Sequence, residues 1–127
     1  MTGTREIRTD RAPAPGGPYS QAVVAGDFIF VSGQRPVDPV TGSIPGGVEA
    51  QSAQVLKNLA AVLDAAGSSL AEAVKVTAHL ADLGDFTTFN KVYMRFFNPP
   101  YPARTTVGSE LRGILVEVDV IAVGAKG

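Results

Sequence analysis

The sequence predicts an α+β fold in two layers, one β-sheet with both helices packed on the same face. Three observations predict it. Two segments repeat apolar residues at the three- and four-residue spacing of a helix. Six shorter segments read as strands, in the order β-β-β-α-β-α-β-β. The last of them has one wholly apolar face, which needs helices against it. The chain has 127 residues, the size of an ordinary domain, so residues 1–127 are read as a single domain.

Each element has its own warrant in the residues. Glu6 to Thr9 reads as a short first strand. The connector Ala12-Pro13-Ala14-Pro15-Gly16-Gly17-Pro18 is too short to separate domains. From Tyr19 the pattern alternates, with Gln21 and Val23 on one side and Ala22 and Val24 on the other. Ala25-Gly26-Asp27 turns the chain, and Phe28 to Ser32 runs back as the second arm of a hairpin. Gly33 to Gly47 is a loop punctuated by Pro36, Pro39 and Pro45. Val48 to Ala66 is the clearest helix. Its stripe is Val48, Ser52, Val55, Leu56, Leu59, Val62, Leu63 and Ala66, and Gly67 stands where a left-handed cap belongs. Ser69 to Glu72 has capping-box spacing and predicts a brief helical turn. Val74, Val76, Ala78 and Leu80 alternate with Lys75, Thr77 and His79, a half-buried strand. Asp85 is a good N-cap for a second helix, whose buried stripe is Phe86, Phe89, Tyr93, Phe96 and Phe97. Pro99-Pro100 stops it. Arg104 to Val107 is a strand, Gly108 to Gly113 a loop, and Ile114 to Val123 the long last strand.

Composition excludes several classes. Hydrophobic residues make up 45% and charged residues 18%, which argues against disorder. There is no cysteine, so no disulfide framework, thiolate nucleophile or thiolate metal site is available. With a single histidine besides, a metal site is not expected. The formal charge of −1 argues against a general nucleic-acid-binding surface. No apolar run approaches the ~20 residues of a membrane helix, and the polar stretch Met1 to Asp10 is unlike a signal peptide. The expected location is the cytoplasm. Gly42-Ser43-Ile44-Pro45-Gly46-Gly47 has neither P-loop nor dinucleotide spacing, so no nucleotide cofactor is expected.

The last strand has two unlike faces. Ile114, Val116, Val118, Val120 and Ala122 belong against the helices. Leu115, Glu117, Asp119, Ile121 and Val123 form a mixed face, too apolar for solvent and too acidic for a core. Two helices cannot cover both sides of a sheet. The simplest cover is another copy of the chain in a closed ring, so a homo-oligomer is expected. Glu117 then stands at an interface, either as a structural ion-pair partner or as a catalytic carboxylate. Arg104 follows a stiff proline-rich connector at a strand start. It is either a rim residue or a planar fork presented to a carboxylate. Asn90 lies one position off the second helix's buried stripe. Tyr19 opens a strand. His79 is read as an ordinary strand residue.

Taken together, these segments resemble the reactive intermediate deaminase family, RidA or YjgF. The matching pieces are Gly17-Pro18-Tyr19-Ser20-Gln21-Ala22-Val23, Val31-Ser32-Gly33-Gln34, Glu49-Ala50-Gln51 and Asn58-Leu59. Further on come Ala65-Ala66-Gly67, Asp85-Phe86 with Asn90, Pro102-Ala103-Arg104-Thr105-Thr106-Val107 and Val116-Glu117-Val118-Asp119-Val120-Ile121-Ala122. The resemblance implies a chorismate-mutase-like fold with a mixed sheet. It implies a homotrimer around a central barrel, with active sites between subunits. The implied activity is hydrolysis of 2-aminoacrylate, 2-iminopropanoate and 2-iminobutanoate to 2-oxo acids and ammonia, with no cofactor. The family's pocket maps onto Tyr19, Ser32, Gly33, Asn90, Arg104, Thr106 and Glu117. In this reading Arg104 takes the substrate carboxylate and Glu117 handles the attacking water. The other positions bind substrate. Arg35 departs from the family, standing where an aliphatic residue is common, and Ser109 to Gly113 is a shortened loop. Two rival readings are a non-enzymatic trimer that binds 2-oxo acids and a translation-inhibiting endoribonuclease.

Overall fold

The structure, a computed structural model, describes residues 3–125. Met1 and Thr2, part of the polar N-terminal stretch, lie outside the described residues, as do positions 126 and 127 of the chain. The strands are β1 (Thr4–Ile7), β2 (Ala22–Ala25), β3 (Phe28–Gln34), β4 (Ala73–Leu80), β5 (Ala103–Gly108) and β6 (Val116–Val123). The helices are α1 (Val48–Ala65) and α2 (Phe86–Phe96). One sheet runs in the order β1-β2-β3-β6-β4-β5. Only the β4–β5 pair is parallel, so the sheet is mixed, and α2 is the crossover that a parallel pair requires. The expected α+β architecture with two helices is what forms. Among the described residues no helix is long and apolar enough to cross a membrane.

The helices lie on one side because the sequence gives that side its apolar residues. Val55, Leu56, Leu59, Val62 and Leu63 of α1 are fully buried against Val76, Ala78 and Leu80 of β4 and Val116, Val118 and Ala122 of β6. Burying each such large side chain is worth about 1.5–3 kcal/mol. Gly67 takes the expected left-handed conformation after α1 (φ 79°), and the Ser68 amide closes the helix on the Leu63 carbonyl at 2.9 Å. Among the described residues, no helix lies on the other side of the sheet. Phe28 and Phe30 are 46% and 45% exposed there, beside half-buried Glu117, Asp119, Ile121 and Val123.

Several boundaries differ from the sequence reading, each for a local reason. The first strand is Thr4–Ile7, not Glu6 to Thr9. Its pairing with β2 ends at Ile7–Ala22. Beyond it the Gln21 side chain replaces the ladder, accepting from the Thr9 amide at 2.7 Å and donating to the Thr9 carbonyl at 3.0 Å. The last strand begins at Val116, not Ile114. The Leu115 amide is taken by Gln51 Oε1 of α1 at 2.8 Å instead of a neighbouring strand. Asp85 precedes α2, but its side chain makes no capping bond. Asp82 caps the 3₁₀ turn at Leu83–Asp85 that precedes α2, accepting from the Gly84 amide at 2.8 Å. The turn at Leu70–Glu72 forms without a bond from the Ser69 side chain.

Candidate active site

Strand register decides which side of the sheet each candidate occupies. In β4, Val76 faces the helices and is fully buried. Arg104 is registered with Val76, and Thr106 with Ala78, so both belong to the helix side. Glu117 is registered with His79, one residue out of phase, and belongs to the open side. The two residues that the sequence marks most strongly therefore stand on opposite faces of one sheet. Within a single chain the structure does not bring them together.

The open-side cluster is built around Glu117. Between the registered pairs Val31–Val120 and Gln34–Val118, β3 carries an irregularity containing Ser32 and Gly33. Such a bulge re-aims the local backbone. Gly33 lies directly against Glu117: a Cβ at position 33 would be 2.5 Å from Oε2 of the carboxylate. Glycine is thus required for the carboxylate to stand where it does. Ser32 is fixed at both ends, its amide donating to the Gln21 carbonyl at 2.9 Å and its Oγ to the Ser20 carbonyl at 2.6 Å. Tyr19 is half exposed, with its hydroxyl accepting from the Gly16 amide at 3.1 Å. Tyr19, Ser32, Gly33, Arg35 and Glu117 line one cleft of about 340 Å³.

On the same face, His79 is a strand residue with two side-chain partners. Its Nδ1 is 2.8 Å from Ser109 Oγ, and its Nε2 is 3.6 Å from Asp119 Oδ2. Burial pushes the Asp119 carboxyl above the ordinary aspartate value, and the neighbouring His79 and Lys75 pull it back.

The helix-side cluster is built around Arg104. Its guanidinium lies 4.7 Å from the Tyr93 ring centroid, 5.4 Å from Phe89 and 5.5 Å from Phe86. Nη2 donates to Asn90 Oδ1 at 2.7 Å. Rings of α2 thus hold the fork by cation–π attraction, worth about 0.5–1 kcal/mol at an exposed site. Asn90 fixes its rotation. Burial pushes the Tyr93 phenol above the usual tyrosine range, and the Arg104 charge opposes that shift. Asn90, Tyr93, Met94, Tyr101, Pro102 and Arg104 line a second cleft of about 350 Å³. Its walls are mostly apolar, with an oriented cation at one end.

Sequence spacing shows Tyr93 only as a packing residue; its electrostatic contact with Arg104 emerges from the fold. Its position three residues after Asn90, one turn along the same helix, was the available signal. Among the described residues, no group of three or more His, Asp or Glu is placed to hold a metal ion.

Comparison with known proteins places the chain among relatives. Residues 9–124 match the family model described as Endoribonuclease L-PSP. A RutC family protein of Pyrococcus horikoshii is 48% identical over 119 residues, 91% of this chain and 94% of its own. The 2-iminobutanoate/2-iminopropanoate deaminase of Bos taurus is 44% identical over 120 residues, 92% of this chain and 88% of its own. Among solved structures, RidA from the Antarctic bacterium Psychrobacter sp. superposes with a TM-score of 0.91 at 41% identity, over 94% of this chain and 98% of that one.

Proposed function

The chain belongs to the RidA/YjgF family of reactive intermediate deaminases, and from that premise we propose that it hydrolyses small 2-imino acids, and their enamine tautomers, to 2-oxo acids and ammonia. The substrates in this reading are 2-aminoacrylate, 2-iminopropanoate and 2-iminobutanoate. The observation that carries it is the pair of prepared half-sites: a carboxylate seated over Gly33 on one face, and a stacked, hydrogen-bonded arginine on the other. The near relative named a 2-iminobutanoate/2-iminopropanoate deaminase supports the same reaction class.

The mechanism follows from what each half can do. Arg104 presents parallel N–H groups to the substrate carboxylate. Water adds to the imine carbon, forming a C–O bond while the C=N π electrons move to nitrogen. Glu117 removes the proton from that water and returns it to the nitrogen. Glu117 then carries the hydroxyl proton of the carbinolamine to the nitrogen, the C–N bond breaks as the carbonyl forms, and the protonated nitrogen departs as ammonia. One imine and one water give one oxo acid and one ammonia. The Gly33 backbone, which lies against the Glu117 carboxylate, borders the reacting group in this reading, and Tyr19 closes the cleft over the planar substrate.

Opposite faces of one sheet cannot share a small substrate. The proposed site is therefore made between copies, the Arg104 half of one against the Glu117 half of the next. The proposed assembly is a homotrimer, which also covers Phe28 and Phe30, with the sheets turned toward a central barrel. No metal or organic cofactor takes part in the proposed steps, and the proposed location is the cytoplasm.

The test couples a threonine dehydratase to the protein and follows 2-oxobutanoate. Micromolar protein is expected to accelerate its appearance beyond spontaneous hydrolysis. No acceleration rejects the proposal. The description of the matched family model favours a second reading, RNA cleavage. Against it stand the formal charge of −1 and the single histidine. Ribonuclease activity that follows the protein peak and disappears in Arg104→Ala is the outcome that restores it.

A further inference from the structure

Arg35 is a cation that the steps above do not use, and it lines the same cleft as Glu117, Tyr19, Ser32 and Gly33. The residue is held at both ends. Its Nη2 donates to the Arg112 carbonyl at 3.0 Å, in the loop that follows β5. Its own carbonyl accepts from Asn58 Nδ2 at 3.0 Å, and Asn58 is only 1% exposed. One bond to a carbonyl uses one of five guanidinium donors, so the fork retains capacity for an anion.

The cleft wall explains why a cation matters there. Apart from Arg35, its only formally charged side chain among the described residues is Glu117. A substrate with one carboxylate, taken by Arg104, meets no further charge conflict. A substrate with a second carboxylate would bring that charge toward Glu117, and Arg35 offsets the repulsion. There is also room. A second cavity of about 310 Å³, under the connector at Pro13, Ala14 and Pro15, is bounded by the same Tyr19, Gly33 and Arg35. Asp38 also lines it, but its Oδ1 already accepts from the Val40 and Thr41 amides at 2.8 and 3.2 Å.

We propose that Arg35 makes this site select 2-imino acids that carry a second carboxylate, the imines of amino dicarboxylic acids such as glutamate. This rests on the imine-hydrolase reading of the same cleft. The reaction class that supplies such a substrate is two-electron oxidation of an acidic amino acid at its amine.

The experiment compares two imines generated in situ by amino-acid oxidases, one from glutamate and one from alanine, with semicarbazide trapping to follow imine loss. The wild-type protein is expected to show the higher kcat/KM with the diacid imine. In Arg35→Ile, and in the polar Arg35→Gln, the ratio of diacid to monoacid kcat/KM is expected to fall roughly tenfold or more. Arg35→Lys is expected to recover part of the ratio. A proportional loss with both imines makes Arg35 a tether for the 109–113 loop and overturns the inference. So does a wild-type ratio favouring the monoacid. Normal monoacid turnover with an unchanged ratio removes the selectivity alone. Failure of both imines with wild-type protein removes the imine-hydrolase reading, and this inference with it.

Discussion

Glu117 stands on the side of the sheet that no helix covers, and Arg104 on the side that α2 covers. The first is positioned by an absence. No side chain at position 33 competes for its space, and a bulge in β3 sets that backbone beside it. The second is positioned by presences: three aromatic rings within 5.5 Å of the guanidinium and an amide oxygen at 2.7 Å. The difference teaches how a small fold separates its roles. In the proposed reaction the carboxylate that takes up and releases protons sits in an open cleft beside backbone. The cation proposed to hold the substrate carboxylate is clamped by packed rings.

Substitutions in each half should fail in different ways. The largest effect is expected on the open side. Glu117→Gln keeps shape and removes the base, and kcat should fall by about 10²–10⁴-fold, the usual weight of general acid–base catalysis. Retention of 2-oxo-acid binding, measured by calorimetry, distinguishes this from loss of the site. If kcat stays near normal, Glu117 is an interface residue.

Arg104→Ala should act on the helix side through substrate capture. Removing one partner of a buried hydrogen-bonded charge pair costs about 2–5 kcal/mol, or roughly 30- to several-thousand-fold in kcat/KM. Arg104→Lys keeps the charge without the fork and should rescue only in part. A neutral imine lacking the carboxylate should be nearly indifferent to either change. Equal losses with acid and neutral imines mean that Arg104 holds structure and not substrate.

Gly33→Ala sharpens the comparison, because it adds a group where the open side needs none. The new methyl would push the Glu117 carboxylate aside, and displacement by about 1 Å costs on the order of 10²-fold in rate. Thermal stability should change little, since the carboxylate is the mobile end of a side chain. Unaltered kcat would show that Glu117 tolerates other positions.

The smallest effect concerns Asp119, on the open face beside His79. Its folded-state value lies above the ordinary 3.8, chiefly through burial. The folded protein therefore binds this proton more tightly than the unfolded chain does. The contribution of Asp119 to stability is fully present below about 3.8 and is lost as pH rises through the folded value. Asp119→Asn should flatten that loss, so the variant's Tm relative to wild type rises between pH 3 and pH 7. A relative Tm that falls over this range contradicts the assignment and makes the His79 attraction dominant.

Much of this arrangement is legible in the sequence alone. The α1 stripe, the cap at Gly67 and the two unlike faces of the last strand all follow from side-chain spacing within one element. What spacing within an element cannot state is how one strand registers against another. The face of Arg104 depends on its pairing with Val76, across a parallel crossover. The buried amides were equally silent. Gln21, Gln51 and Asn58 are 3%, 6% and 1% exposed, and each earns its place by bonding to backbone of another segment. Asp85 stands at the N-cap position of α2 as its residue type suggests, but spacing does not show the 3₁₀ turn before it, where Asp82 makes the side-chain capping bond. The departure at Arg35 was visible as a residue type; its place beside Glu117 was not.

In the proposed assembly the working site joins opposite faces of two copies, and mixing subunits is the test. Glu117→Gln and Arg104→Ala proteins, each nearly inactive alone, are unfolded together and refolded as mixed assemblies, with mixing verified by native mass spectrometry. Half-sites from different copies then combine an intact Arg104 with an intact Glu117. Random assortment predicts recovery of roughly a quarter of wild-type imine hydrolysis, the share of interfaces that receive both intact halves. Verified mixed assemblies whose activity stays at the sum of the two variants would place both residues in one subunit's site and contradict the account.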